Sequence, residues 1–212
     1  MVTGILTNSI KYYRMNIVHL NTLGGIILSR VIENPKQLIL DKAKEILYNQ
    51  GYSKLSMRNL SKACDIALGT IYNYYPTKKN LIIEMMSEYW QNYLNSVKSI
   101  AASDYDVYNK LNNIFNELKI FIESFRQYWL TPELYSSPEY IEDGLKQEYI
   151  FMEKLIIIVK DILEKERDSN NIQIKLGSYE TANFIIMNFV TMIQMPVFKY
   201  LTFEIFLKEL LK

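Results

Sequence analysis

From residue 36 to the C-terminus, apolar residues recur every three or four positions, the spacing of helices that bury one face. Leu38, Ile39, Ala43, Ile46 and Leu47 form the first stripe, and Gly51 stops it. A short segment follows with Met57, Leu60, Ala63 and Cys64 on its apolar side. Ser56 stands just before it, where its hydroxyl can accept a bond from a first-turn amide. Asp65-Ile66 breaks this segment, residues 67–75 make a second short helix, and Pro76 ends it. Thr77 then caps a long helix striped by Leu81, Ile82, Met85, Met86, Tyr89, Trp90, Tyr93, Leu94 and Val97. Residues 105–129 are periodic in the same way, through Tyr108, Leu111, Ile114, Phe115, Leu118, Phe121, Ile122 and Phe125. Pro132 and Pro138 mark a short connecting helix or loop. Residues 145–166 carry Tyr149, Met152, Leu155, Ile156 and Val159 on an inner side, and a loop holding Ser169-Asn170-Asn171 and Gly177 follows. Ser178 caps a helix over 179–194, Pro196 ends it, and Thr202 caps a last helix. The pattern predicts an all-α fold.

Composition narrows the chemistry. The chain has 212 residues, 49% of them hydrophobic, with 7 Gly and 5 Pro, which argues against collagen-like, linker-rich and turn-rich β architectures. Cys64 is the single cysteine and His19 the single histidine. A disulfide framework and a Cys-cluster zinc site are thereby excluded, and a His-based metal centre has too few ligands. No spacing suggests a nucleophile–base pair, a phosphate loop or a metal site, so no cofactor is expected and the chain reads as a non-enzyme. No run of about 18 apolar residues occurs, so no membrane span is expected and a reducing, cytoplasmic setting fits.

The near-neutral total of 24 basic against 23 acidic residues hides an asymmetry. Residues 1–80 hold 11 Lys/Arg and 4 Asp/Glu, a net of +7, and residues 81–212 hold 13 and 19, a net of −6. A basic part joined to an acidic remainder suggests a nucleic-acid module on a separate body. Three spans follow. Residues 1–28 are an ill-defined leader or arm, 29–80 a three-helix module, and 81–212 a helical body; the resemblance given below implies DNA binding for the second and regulation and dimerisation for the third. Within the first span Asn16, His19, Asn21 and Thr22 interrupt the apolar stretch, a poor fit to a signal peptide. Gly24-Gly25-Ile26-Ile27-Leu28 is what a purine-rich ribosome-binding sequence, a short spacer and a TTG start codon would encode if read through. On that reading the native chain begins at Leu28; the alternative is an ordinary N-terminal arm.

Two short helices joined by a tight turn and packed on a longer one make a helix-turn-helix module. In such a module the second short helix enters the major groove. Ala67, Leu68, Gly69 and Thr70 lie at its start, facing base edges, and Asn73 one turn later can offer paired donor and acceptor groups to adenine. Ser56 and Lys78 stand at helix starts where phosphate is held, and Arg58 reaches phosphate or a neighbouring base. Met57 belongs to the same DNA-facing segment. Ile71, Tyr75 and Cys64 read as core of the module.

The stretch 38–86 resembles the DNA-binding domain of the tetracycline-repressor (TetR) family of bacterial transcriptional regulators. The resemblance is carried by Ala43 with Ile46-Leu47, Gly51-Tyr52, Ser56-Met57-Arg58, Leu60, Gly69-Thr70-Ile71-Tyr72, Tyr74-Tyr75-Pro76, Lys78 and Leu81. It implies that Tyr72 and Tyr74 touch phosphates or the groove wall, and that a divergent helical domain for ligand and dimer contacts follows. It also implies that the last two helices pair with their mates in a four-helix interface. Asp65, Ala67 and Leu68 depart from the Gly, Ser and Lys frequent in the family. Apolar groups at the groove favour thymine methyls and hence an A·T-leaning operator. The missing lysine weakens phosphate attraction unless Lys79 or the N-terminal residues compensate.

The helix over 179–194 is apolar on more than one face, and a two-fold dimer doubles the DNA that one short recognition helix can read. Ala182, Ile186, Phe189, Ile193, Phe203, Phe206 and Leu210 are the candidate dimer residues. Trp90, Tyr93, Phe121, Phe125, Tyr128, Trp129, Tyr149 and Met152 fall on helices that would surround an apolar cavity suited to a flat hydrophobic or cationic molecule, with Glu123 as counter-charge. The expected function is a ligand-responsive repressor. As a homodimer it binds a palindromic double-stranded operator and is released when a small-molecule effector shifts the helix starting near Thr77. The alternative is an accessory or architectural DNA-binding factor without a ligand.

Overall fold

The computed structural model describes residues 32–129, 138–196 and 199–212, with side chains from 142 onward in the second stretch. The expectations for residues 1–28, His19 included, and for Pro132 lie outside the described residues.

Eight α-helices and one 3-10 turn make up the described secondary structure. Helix α1 spans Pro35–Gln50; the Asn34 side chain accepts from Gln37 N–H, Pro35 opens the first turn, and Gly51 closes the helix at φ 85°. That positive φ is why a glycine stands there. A 3-10 turn, Tyr52–Lys54, leads to α2, Met57–Cys64. As expected, the Ser56 hydroxyl accepts from the Asn59 amide, at 3.1 Å. Asp65 takes the left-handed conformation at φ 55°, and Ser61 donates its hydroxyl to the Ile66 carbonyl at 2.6 Å. This break turns the chain into α3, Leu68–Tyr74. Helix α4, Lys78–Ala101, is capped by Thr77, which accepts from the Asn80 amide.

Helix α5 spans Val107–Tyr128 behind an Asp106 cap, and the bonds from Asn109 hold that carboxyl below its ordinary range. Helix α6 spans Pro138–Asp168, α7 Ser178–Gln194 and α8 Tyr200–Leu210. Three boundaries differ from expectation. Pro138 opens α6 rather than interrupting a loop, since an N-terminal first turn tolerates a residue without an N–H. Gly177, not Ser178, precedes α7; Ser178 is buried and its hydroxyl accepts from Arg167. The last helix starts two residues before Thr202, which is therefore not its cap.

Two cores hold the helices. Ile39, Ala43 and Leu47 of α1 are buried together with Leu55, Leu60, Ile71 and Tyr75. Leu81, Ile82 and Met85 at the start of α4 are buried as well. Farther along the same helix, Tyr93, Leu94 and Val97 join the second core, with Leu111, Ile114, Leu118, Leu155, Val159, Ile185 and Phe189. Helix α4 thus runs from the DNA-binding module into the body as one rigid element.

The second core also buries an ion pair. Lys110 Nζ lies 3.5 Å from Glu166 Oε1, and the lysine is 3% exposed. The other Glu166 oxygen accepts from Asn171 Nδ2 at 2.8 Å. Removing one partner strands a buried charge, which typically costs about 3–5 kcal/mol. Lys110→Ala is therefore expected to lower the urea midpoint sharply at unchanged slope, and the Lys110→Met/Glu166→Leu pair to recover most of the loss. Equal midpoints for the native chain and Lys110→Ala would show the pair to be idle.

Candidate nucleic-acid interface

The α3 helix is held by two anchors. Ile71 is fully buried and Tyr75, just past the last turn, is 1% exposed. Their burial fixes the opposite face outward. Ala67, Gly69, Tyr72, Asn73 and Tyr74 are exposed, and Leu68 and Thr70 are half-buried at the rim. Tyr72 and Tyr74 rank among the exposed large hydrophobics, at 45% and 39%. A Cβ built on Gly69 meets nothing within 4 Å, and its φ is ordinary. Packing within the chain therefore does not require glycine here; the bare backbone leaves room for something outside it.

Helix α2 adds Arg58, exposed and without an ion-pair partner among the described residues. Lys54 and Lys62 are exposed nearby in sequence. Ser56 keeps an O–H to donate outward while its oxygen caps α2. Met57 is buried at 7% and corrects the expectation for that residue: it packs inside the module and does not face DNA. Cys64 is buried too, and burial pushes its thiol up to about 11, in keeping with a packing role. Lys78 lays its ammonium 3.6 Å from the centre of the Tyr52 ring and 3.5 Å from the Tyr52 carbonyl, which orients it at the start of α4.

Cross-links between module and body escaped the sequence reading. Lys36 pairs with Glu84 at 2.8 Å and Lys44 with Glu88 at 2.7 Å, joining α1 to α4. Tyr48 of α1 meets Tyr128 of α5 edge-on at 4.8 Å. Lys79 pairs with Asp143 of α6 at 2.9 Å, so the lysine expected to compensate at phosphate is engaged with the body instead. These partners lie tens of residues apart, and no local pattern links them.

The aromatic residues of the body pack on one another rather than around a void. Phe121 stacks on Tyr89 at 4.8 Å and on Phe151 at 5.3 Å, and Trp90 meets Phe151 at 4.1 Å. Tyr93 and Trp129 are buried, Phe125 and Met152 are half-buried, and Tyr128 sits on Tyr48. Tyr149 points to solvent at 73% exposure. Glu123 is exposed and lies 4.0 Å from Lys119. The expected pocket is corrected accordingly: of its eight residues, only Trp90 lines a cleft of about 280 Å³ between α4 and α6.

The dimer expectation is corrected in the same way. Ala182, Ile186, Phe189 and Phe203 are buried in the chain's own core, and Ile193 and Leu210 pack against it. Phe206 remains exposed. The outward apolar residues are Phe184 and Met187 on α7 and Leu201, Ile205 and Phe206 on α8.

A short helix with a buried back, an exposed aromatic and amide front and a capped partner helix defines a helix-turn-helix module, the kind that reads DNA. Residues 39–85 match the profile of the family described as bacterial regulatory proteins, tetR family. That stretch, under a quarter of the chain, is similar to the DNA-binding domain of the TetR family of transcriptional regulators. It is 26% identical over 83 residues to the HTH-type transcriptional repressor KstR of Mycolicibacterium smegmatis, covering 39% of this chain and 41% of that protein. It is 26% identical over 71 residues to the uncharacterized HTH-type transcriptional regulator YuxN of Bacillus subtilis, covering 34% and 24%. The matched stretches thus span under half the length of these two relatives. A transcriptional regulator from Cytophaga hutchinsonii superposes with a TM-score of 0.64 at 16% identity, covering 73% of this chain and 78% of that one. A TetR/AcrR-family regulator from Thermobifida fusca gives 0.56 at 14% identity, covering 79% and 89%. These two likenesses establish the fold. No helix among the described residues is long and apolar enough to cross a membrane.

Proposed function

We propose that this chain is a ligand-responsive transcriptional repressor that binds a palindromic operator as a homodimer and leaves it when a small molecule occupies the body. The observation that carries the DNA-binding half is the α3 front: Tyr72, Asn73 and Tyr74 exposed, with Gly69 bare beside them. Asn73 supplies paired amide groups for adenine and Ala67 and Leu68 apolar contact for thymine methyls, so the operator leans toward A·T. The relatives named as repressors support the direction of regulation.

Homodimerisation rests on α7 and α8. Phe184, Met187, Leu201, Ile205 and Phe206 leave large apolar side chains exposed on both helices, the kind of surface that marks an interaction site where it is contiguous. One recognition helix contacts too little DNA for strong specificity, and a two-fold pair doubles it. Coupling follows from α4, whose first turns lie in the module and whose remainder lines the cleft. A ligand that favours one position of α4 over another biases the position of α3.

Selection of bound sequences from random DNA tests the reading. The expected product is an A·T-leaning inverted repeat with half-site centres about 10 base pairs, or a multiple, apart. Enrichment of a single unrepeated site, or of none, would instead favour an accessory factor that binds without a partner.

A further inference from the structure

We propose, resting on the reading of the body as an effector domain, that the α4–α6 cleft takes an amphipathic organic anion. Its apolar wall is Ile83, Trp90 and Leu94 on α4 with Ile150 and Phe151 on α6. Its charge comes from Lys146 and Lys154, which stand two turns apart on the α6 face that lines the cleft. Lys154 is exposed and has no ion-pair partner among the described residues. Among the described residues Lys146 forms an ion pair with Glu142, an exposed contact one turn away of the kind that is readily exchanged. The single acid on the lining, Asp143, is already held by Lys79 at 2.9 Å. A cation would therefore meet two lysines and a neutralised carboxylate, which reverses the charge expected of the effector.

Two further observations concern the polarity and the room of the lining. The indole N–H of Trp90 is buried and has no acceptor among the described residues. Buried donors are nearly always paired, by protein, water or ligand. Gly144 lines the cleft from within α6, and a Cβ placed there meets nothing within 4 Å. The missing side chain leaves space that the helix itself does not need. The volume, about 280 Å³, suits a compact headgroup with a short chain or a flat ring system. The carboxylate or phosphate sits by Lys146 and Lys154, and the hydrocarbon lies against Trp90, Phe151 and Leu94. Because Asp143 both lines the cleft and holds Lys79, an anion entering there competes for the ion pair that ties the start of α4 to α6.

Isothermal titration of the full chain decides this, with decanoate, decyl phosphate, decyltrimethylammonium and decanol, each below its micelle concentration. The two anions are expected to bind at least about tenfold tighter than the cation, and their ranking tells a carboxylate from a phosphate effector. Lys146→Gln/Lys154→Gln should weaken both anions about tenfold and leave decanol unchanged. Gly144→Leu, which favours the helix, should abolish binding of all four without lowering the melting temperature. Equal or tighter binding of the ammonium, anion binding indifferent to the lysines or to Gly144→Leu, or no binding at all overturns the inference. Ligand-free DNA binding is measured on the same samples. Its loss with anion binding intact counts against the proposed function alone, and the reverse result counts against the effector class alone.

Discussion

Tyr72→Ala should lower operator affinity by roughly ten- to hundredfold, as expected when an anchor in a DNA interface is removed. Tyr72 is exposed, and no side chain of the module depends on it for packing. The same substitution should therefore leave thermal unfolding essentially unchanged, because surface positions away from buried networks rarely contribute much. Arg58→Ala should weaken binding more evenly across sequences and reduce the salt slope by about one counter-ion, since a cation held to phosphate carries no sequence information. Gly69→Ala sharpens the contrast. In a helix alanine is favoured over glycine by about 1 kcal/mol, and the new methyl has open space in the free protein. Its melting temperature should rise while its DNA affinity falls. Gel shifts across a salt series, read with thermal melts, check all three; full operator affinity in both Tyr72→Ala and Arg58→Ala would place the DNA-reading surface elsewhere.

Phe206→Glu should convert the proposed dimer to a monomer and remove operator binding at working concentrations. Phe206 is 64% exposed on α8, beside the exposed Ile205. A carboxylate there would be desolvated on association without a partner, a penalty of several kcal/mol counted once in each subunit. Within the monomer it stays in water, so the fold should be unaffected. Phe189→Glu is the control: Phe189 is fully buried against Phe115 and Phe203, and that change should unfold the chain rather than dissociate it. Sedimentation velocity separates the outcomes. A native chain that is already monomeric, or a Phe206→Glu dimer, would rule out α7 and α8 as the interface.

Much of the fold was legible because its signals are local. Ser56 and Thr77 cap helices as their positions in the sequence indicate, Gly51 takes the positive φ that ends α1, and Ile71 and Tyr75 anchor α3 from below. The exposed face of α3 was legible for the same reason. Once α3 has a buried stripe, the remaining face points outward, and Tyr72, Asn73 and Tyr74 lie on it. Met57 was read both on the apolar side with Leu60 and in the DNA-facing segment; its burial at 7% decides for the first, as the helical period alone indicates.

What the sequence by itself determined is where the helices begin and end, which residues of the DNA-binding module face in or out, and the split of charge between module and body. These follow from interactions within a few residues: hydrogen-bonded caps, dihedral limits and the 3.6-residue period. Only the tertiary structure decided which apolar stripe of a two-sided helix is core. Helix α7 carries one stripe through Ala182, Ile185, Ile186 and Phe189 and another through Phe184 and Met187, and hydropathy alone does not rank them. Burial goes to the stripe that meets α5 and α6, and the other stays exposed. The aromatic cluster and the α4–α6 cleft were settled in the same way. Ring packing and the pairing of Lys79 with Asp143 depend on residues that only the folded chain brings together. Periodicity records that a face must be covered, but what covers it is a property of the whole packed structure.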